Sequence, residues 1–274
     1  MKYITVFLLL LLTNCHKKEN QHLIKPQNMP RENVALLVDN SLTMLASDFQ
    51  PNRIITMKEV IGTLIKKKKE NQAFSIVVFA GNSFLLCPLT KDKNQLLSAV
   101  DKLDRGIMKM RPGTSFSNAL FNGIASLKSQ SGSKAMILFT DGKENLKPYP
   151  HQIAVDDAAG KNIKIDAVVI TAKDSVMMPS TMDLNGNIQF AKMKSEPIDR
   201  ILIGKITSET GGGFKVFYTK KELLKFDISK FITEKPGVKS KPEKNTMKIN
   251  EQKLSKIYKE IQRTNDSLKG RFEK

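Results

Sequence analysis

Apolar residues change their spacing along the chain in a regular order. Short continuous apolar runs occur at Val34–Val38, Phe74–Phe79, Lys134–Thr140 and Ile163–Ile170, and each predicts a buried strand. Between them the spacing widens to helical intervals. Ile54, Met57, Ile61, Leu64 and Ile65 follow Pro51 and end in the lysines 66–69, while Phe116, Ala119, Leu120, Ile124 and Leu127 mark a second amphipathic face. The lysine run suits a helix C-terminus, where the dipole favours cations. Weaker signals predict a short strand at Phe84–Leu89 ended by Pro88, and helices at 94–103, 150–160 and around Ile198–Ile206. Gly211–Gly213 reads as a helix stop, followed by a last strand in FKVFY and a final helix at 223–232. Strands alternating with helices predict an α/β fold: a doubly wound, mostly parallel sheet flanked by helices. Asn185-Gly186, between short extended runs, predicts a β-hairpin insertion.

The 274 residues divide by pattern into a leader (1–15), a polar tether (16–32), one domain (33–233), a Lys/Pro linker (234–249) and a terminal helix (250–274). The apolar side of that helix (Leu254, Ile257, Ile261, Leu268, Phe272) is broken by Asn265. The pattern therefore fits a solvated helix as well as one docked on a partner or lying on an anionic membrane. A formal net charge of +18 suggests anionic partners, but the lysines are dispersed and the chain has no Trp and four Tyr. Base-stacking surfaces are poorly supplied and nucleic-acid binding is disfavoured.

The leader has Lys2 and then an apolar run from Ile4 to Leu12. At ~1.5 Å per residue this helix spans about 14 Å, against the ~30 Å of a bilayer core. It reads as an export signal. LTNC resembles a bacterial lipoprotein signal, which implies lipidation of Cys15 and a membrane-anchored protein of the bacterial cell envelope; Asn14 departs from the small residue usual before the cysteine. Cys87, among apolar neighbours, is expected to pack as a small hydrophobe.

The chemistry-bearing residues lie at predicted strand ends, where open α/β sheets bind ligands. Asp39, Ser41 and Thr43 follow the first strand, Thr114 opens a helix, and Asp141 ends a later strand. Taken singly, Thr114 could cap its helix, Ser41 and Thr43 the next turn, Asp141-Gly142 is a common turn pair, Asp48 suits a turn, and Asp156-Asp157 a solvated helix face. Taken together, Asp39, Ser41, Thr43, Thr114 and Asp141 form an oxygen-rich set suited to a hard cation.

DNSLTM, GTS and FTDG, in that order, resemble the von Willebrand factor A family with its metal-ion-dependent adhesion site. The resemblance implies a site of Asp39, Ser41, Thr43, Thr114 and Asp141 holding Mg²⁺ or Mn²⁺, with Thr43 in place of the usual second serine. It implies a non-catalytic protein–protein interaction module whose partner supplies an Asp or Glu to the metal. MLASDFQPNRI, LCPLTKD, GTSFSNAL and TGGGFKVF are similar to bacterial aerotolerance (BatA-like) proteins. Those imply a stress-related envelope complex with other von Willebrand factor A proteins or a MoxR-type AAA+ ATPase. Two alternatives stand beside this: a scaffold with an empty site, and a Mg²⁺-dependent phosphatase of the haloacid dehalogenase type using Asp39. The phosphatase is disfavoured because Ser41 stands where a general acid is required. A serine hydrolase is poorer still, since of the three histidines two lie in the tether.

Overall fold

The computed structural model describes residues 31–104, 109–183, 187–233 and 251–273. The leader, the tether before residue 31, the linker and the Asn185-Gly186 turn lie outside the described residues. In chain order the strands are β1 (Glu32–Asp39), β2 (Gln72–Phe79), β3 (Ser83–Thr90), β4 (Ser133–Thr140), β5 (Ile163–Ile170), β6 (Ser175–Met182), β7 (Ile188–Lys194) and β8 (Phe214–Phe217). The main sheet has the order β3-β2-β1-β4-β5-β8, with β3 antiparallel and every other neighbour parallel. β6 and β7 form a separate antiparallel pair.

The helices are α1 (Arg53–Lys67), α2 (Lys93–Asp101), α3 (Phe116–Leu127), α4 (His151–Gly160), α5 (Arg200–Ser208), α6 (Lys220–Lys225), α7 (Lys230–Thr233) and α8 (Glu251–Glu273). Covered on both faces, β1 is buried from Asn33 to Asp39, which is why it reads as a continuous apolar run without alternation. Its side chains still alternate. Leu36 and Val38 join Ile54, Met57 and Leu96 in one layer, while Ala35 and Leu37 join Phe116, Leu120, Ile153 and Ile203 in the other. Asp39, next in this alternation, ends the strand at the carboxyl edge of the sheet.

The structure departs from the expectations in four places. Pro88 does not end its strand but sits inside β3, which is tolerable on an edge strand whose pairing to β2 is already irregular between Phe74 and Val77. The expected final helix is two short ones, interrupted where Asp227 accepts hydrogen bonds from Ser229. Asp157 is not on a solvated face: it is 4% exposed and binds Lys161 and the Tyr258 hydroxyl.

Lastly, α8 is not a solvated helix, and the surface expected to meet a partner or membrane lies against the chain's own sheet. Ile257 and Ile261 enter the α3 layer, Leu268 and Phe272 the α1 layer, so the helix crosses the open edge beside β3. Phe272 stacks on Phe84 with ring centroids 4.7 Å apart. Asn265, the break in the apolar stripe, is itself a contact: its Oδ1 accepts from the Leu85 amide (2.9 Å) and from Asn122 Nδ2 (3.0 Å). A polar side chain thus satisfies the outward amide of an edge strand, which otherwise invites pairing with another chain. As expected, Cys87 is a buried free thiol, and burial pushes it up to about 11. Among the described residues no helix is long and apolar enough to cross a membrane.

Candidate functional site

The site forms where β1 and β4 end side by side. Asp39 is fully buried. Its Oδ1 accepts from the Ser41 amide (2.9 Å) and its Oδ2 from the Thr140 hydroxyl (2.7 Å), which in turn accepts from the Gly142 amide (3.1 Å). The last residue of β4 therefore clamps the last residue of β1 and fixes the turn carrying Asp141. Behind Asp39 the chain makes a 3-10 turn, Leu42–Leu45, that brings Ser41 Oγ to 3.0 Å from Thr43 Oγ1. Neither hydroxyl is spent on capping that turn: Ser41 stands at its N-cap without a side-chain capping bond.

Thr114 is also released from the bland role open to it. Ser115, not Thr114, caps α3, accepting from the Asn118 amide (3.4 Å). The Thr114 loop is held through its backbone: its N–H donates to Asn145 Oδ1 (2.8 Å), and its carbonyl accepts from the amides of Asn145 and Leu146 (3.2 and 3.0 Å). Glu144 accepts from the Phe116 amide (2.7 Å) and pairs with His151. The segment after Asp141 is thereby stitched to the loop that carries Thr114. Gly113, at φ 105° with Leu146 and Asn145 within 3 Å of any added Cβ, is what lets the two segments approach.

Pattern reasoning missed Arg53. Its guanidinium is fully buried and chelates Asp48, with Nε and Nη2 each at 2.8 Å, while Nη1 reaches Asp141 Oδ2 at 3.2 Å. Asp48 is thus an ion-pair partner and not merely a turn former. No local signal marks it: Arg53 is the first residue of α1, a position where charged side chains are ordinarily solvated, and its partners are distant in sequence or in a turn. Thr140 and Asn145 also escaped notice.

The contacting charges are unbalanced. Asp48 and Asp141 share one guanidinium, and Asp39 lies within the charge of Asp141. Burial, and then the charge of Asp141, push the Asp39 carboxyl up from 3.8 to about 7, against the hydrogen bonds from Ser41 and Thr140. Both polar atoms of the neighbouring Asn40 side chain are buried and, among the described residues, without a hydrogen-bond partner. Among the described residues no group of three or more His, Cys, Asp or Glu side chains could hold a metal ion, so what the fold offers is carboxylate and hydroxyl oxygen together.

Residues 34–144 match the model of the von Willebrand factor type A domain. The chain carries a von Willebrand factor type A (vWA) domain. Solved structures extend the likeness beyond the matched segment. An aerotolerance-related membrane protein from Bacteroides fragilis superposes with a TM-score of 0.57 at 21% identity, over 70% of this chain and 94% of that one. The conserved hypothetical protein BatB from Bacteroides thetaiotaomicron gives 0.58 at 22% identity, over 70% and 95%. At these identities the likeness establishes the fold of the vWA domain. Among curated relatives, an uncharacterized protein of Borreliella burgdorferi is 24% identical over 198 residues, which is 72% of this chain and 56% of its own. A UPF0353 protein of Mycobacterium ulcerans is 23% identical over 200 residues, 68% of this chain and 55% of its own. The chain spans about half the length of the curated relatives it matches. Domains of this family are in general interaction modules that often hold a divalent cation.

Proposed function

We propose that the vWA domain is a non-catalytic, cation-dependent protein-binding module. The observation that carries this reading is the charge imbalance at the ends of β1 and β4: among the described residues Asp48 and Asp141 share Arg53, and Asp39 beside Asp141 has no ion-pair partner, in a chain of formal charge +18. Asp39, Ser41, Thr43, Thr114 and Asp141 would hold Mg²⁺ or Mn²⁺, both of which suit hard oxygen donors and keep bound waters. Such a cation, when bound, offers an open coordination position to a partner's Asp or Glu. The residues fit it: a cation relieves the repulsion that raises Asp39, and its waters can satisfy a buried amide such as Asn40. We further read Cys15 as a lipid anchor holding the domain on a membrane of the bacterial envelope. A stress-related complex with other vWA proteins or a MoxR-type ATPase is the assembly this reading favours.

Titration calorimetry on the full chain tests the reading. Mg²⁺ or Mn²⁺ should give binding heat that is lost in Asp39→Ala and Asp141→Ala variants that remain folded. A co-purifying protein should be held in Mg²⁺ and released by EDTA. Absence of heat at millimolar metal, or phosphoester hydrolysis abolished by Asp39→Asn, would refute it.

A further inference from the structure

The β6–β7 hairpin is not hydrogen-bonded into the main sheet, yet it is fixed beside the site. Ser47 N–H donates to the Met177 carbonyl (3.2 Å), and Val176 and Met178 pack on Ala46. Its other face is open, with Met177 exposed and Lys192 directly across the ladder from it, and Phe190 exposed across from Pro179. Six large apolar side chains stand exposed among the described residues. Five of them, Leu42, Met177, Phe190, Met193 and Ile201, belong to the site turn, this hairpin or the start of α5. Those elements all leave the carboxyl end of the sheet, and such clustering marks an interaction face.

Between the hairpin and the turn from β8 to α6 lies an open groove of about 620 Å³, walled by Asp48, Lys173, Met177, Lys192 and Tyr218 among others. Asp48 is ion-paired to Arg53, which it shares with Asp141. Lys173 lies over the Tyr218 ring, 5.1 Å from its centroid, and among the described residues neither Lys173 nor Lys192 has a carboxylate partner. Two ammonium groups therefore face the single remaining carboxylate of Asp174.

We propose that this groove and the open hairpin face seat a short acidic segment of a protein partner, with apolar side chains flanking its carboxylates, beside the cation site. The inference rests on the cation-binding reading, for which it supplies the surface surrounding the partner's carboxylate. Groove lysines complement acids, and Met177, Phe190 and Leu42 take the apolar neighbours. A second copy of the chain, at +18, brings the wrong charge. A membrane surface does not fill a groove.

The test is to pan a phage-displayed dodecapeptide library against the full chain in Mg²⁺ and to measure the enriched peptides by fluorescence anisotropy. Enriched sequences should place Asp or Glu next to Leu, Ile, Met or Phe. Binding should weaken roughly tenfold or more in Lys192→Glu and in Met177→Ser, whose circular dichroism and Tm should match the parent. Enrichment without acids, no enrichment, or indifference to both variants overturns the proposal. So does a dimer in sedimentation velocity that Met177→Ser dissociates, or binding to phosphatidylglycerol vesicles that Lys192→Glu abolishes while peptides bind unchanged. Peptide binding that survives EDTA and Asp141→Ala but is lost in Lys192→Glu keeps the groove and overturns the cation reading. Binding lost in EDTA but indifferent to both groove variants does the reverse.

Discussion

Replacing Arg53 with methionine keeps most of the side-chain volume and removes the guanidinium that Asp48 and Asp141 share. The guanidinium makes three contacts within 3.2 Å, two to Asp48 and one to Asp141, and none of these groups is more than 8% exposed. Screening by water is therefore slight. Breaking a buried pair from one side leaves the other charge uncompensated, at a cost of about 3–5 kcal/mol. Here two carboxylates are orphaned, and Asp39 already bears the repulsion of one of them. For a domain of this size each kcal/mol lowers Tm by ~2–4 °C, so the expected drop is on the order of 6–20 °C. The assay is urea unfolding followed by circular dichroism, in EDTA. Adding Asp48→Asn to Arg53→Met should recover part of the loss, because it removes one of the orphaned charges. A loss below ~1 kcal/mol in the single variant would refute the argument that Arg53 is the electrostatic keystone of this end of the sheet.

Two further outcomes follow from the same structure. In EDTA the folded protein holds a proton on Asp39 more tightly than the unfolded chain does, so stability should fall as pH rises from 3.8 through about 7. The limit is ~4 kcal/mol at ~1.36 kcal/mol per pH unit; Asp39→Asn should flatten the Tm profile between acid and neutral pH, and an unchanged slope would count against it. Separately, Asn265→Leu leaves the Leu85 amide without its acceptor and Asn122 Oδ1 without its donor, while Asn122 Nδ2 keeps Ser83, at about 1–3 kcal/mol. Hydrogen exchange at Leu85 should then quicken roughly 10- to 100-fold; unaltered protection there would mean that α8 does not guard the edge.

What could be read in advance divides along physical lines. The central strands were legible because β1, β4 and β5 are buried on both faces and must be apolar throughout. The five oxygen-bearing residues were grouped as a set because hydroxyls and carboxylates at several strand ends are difficult to explain one at a time. The structure links Asp39 to Ser41 and Ser41 to Thr43 by hydrogen bonds and sets Asp39 within the charge of Asp141, while Thr114 is held by Asn145 without a hydrogen bond to the other four among the described residues. Arg53 was not legible, because nothing local marks a charged helix-start residue as buried; only Asp48 and Asp141, 88 positions apart from it in the latter case, explain it. Asn265 and Asp157 were misread for the same reason. A polar residue in an apolar stripe looks like a defect until its distant partner, Leu85 or Tyr258, is known. Pro88 shows the converse, a local rule relaxed by position at the edge of the sheet.

β1 has a mechanical consequence. The segment before residue 32 enters its first residue, and Asp39, at the heart of the candidate site, is its last. Anything that restrains the preceding chain and anything that grips the site pull on opposite ends of one strand. That strand is central, registered along its length with β2 on one side and β4 on the other. Load along it shears both ladders at once, so their hydrogen bonds resist together and do not open one at a time. A tension applied between the two ends of β1 would pass into β2 and β4, the stiffest path through the fold.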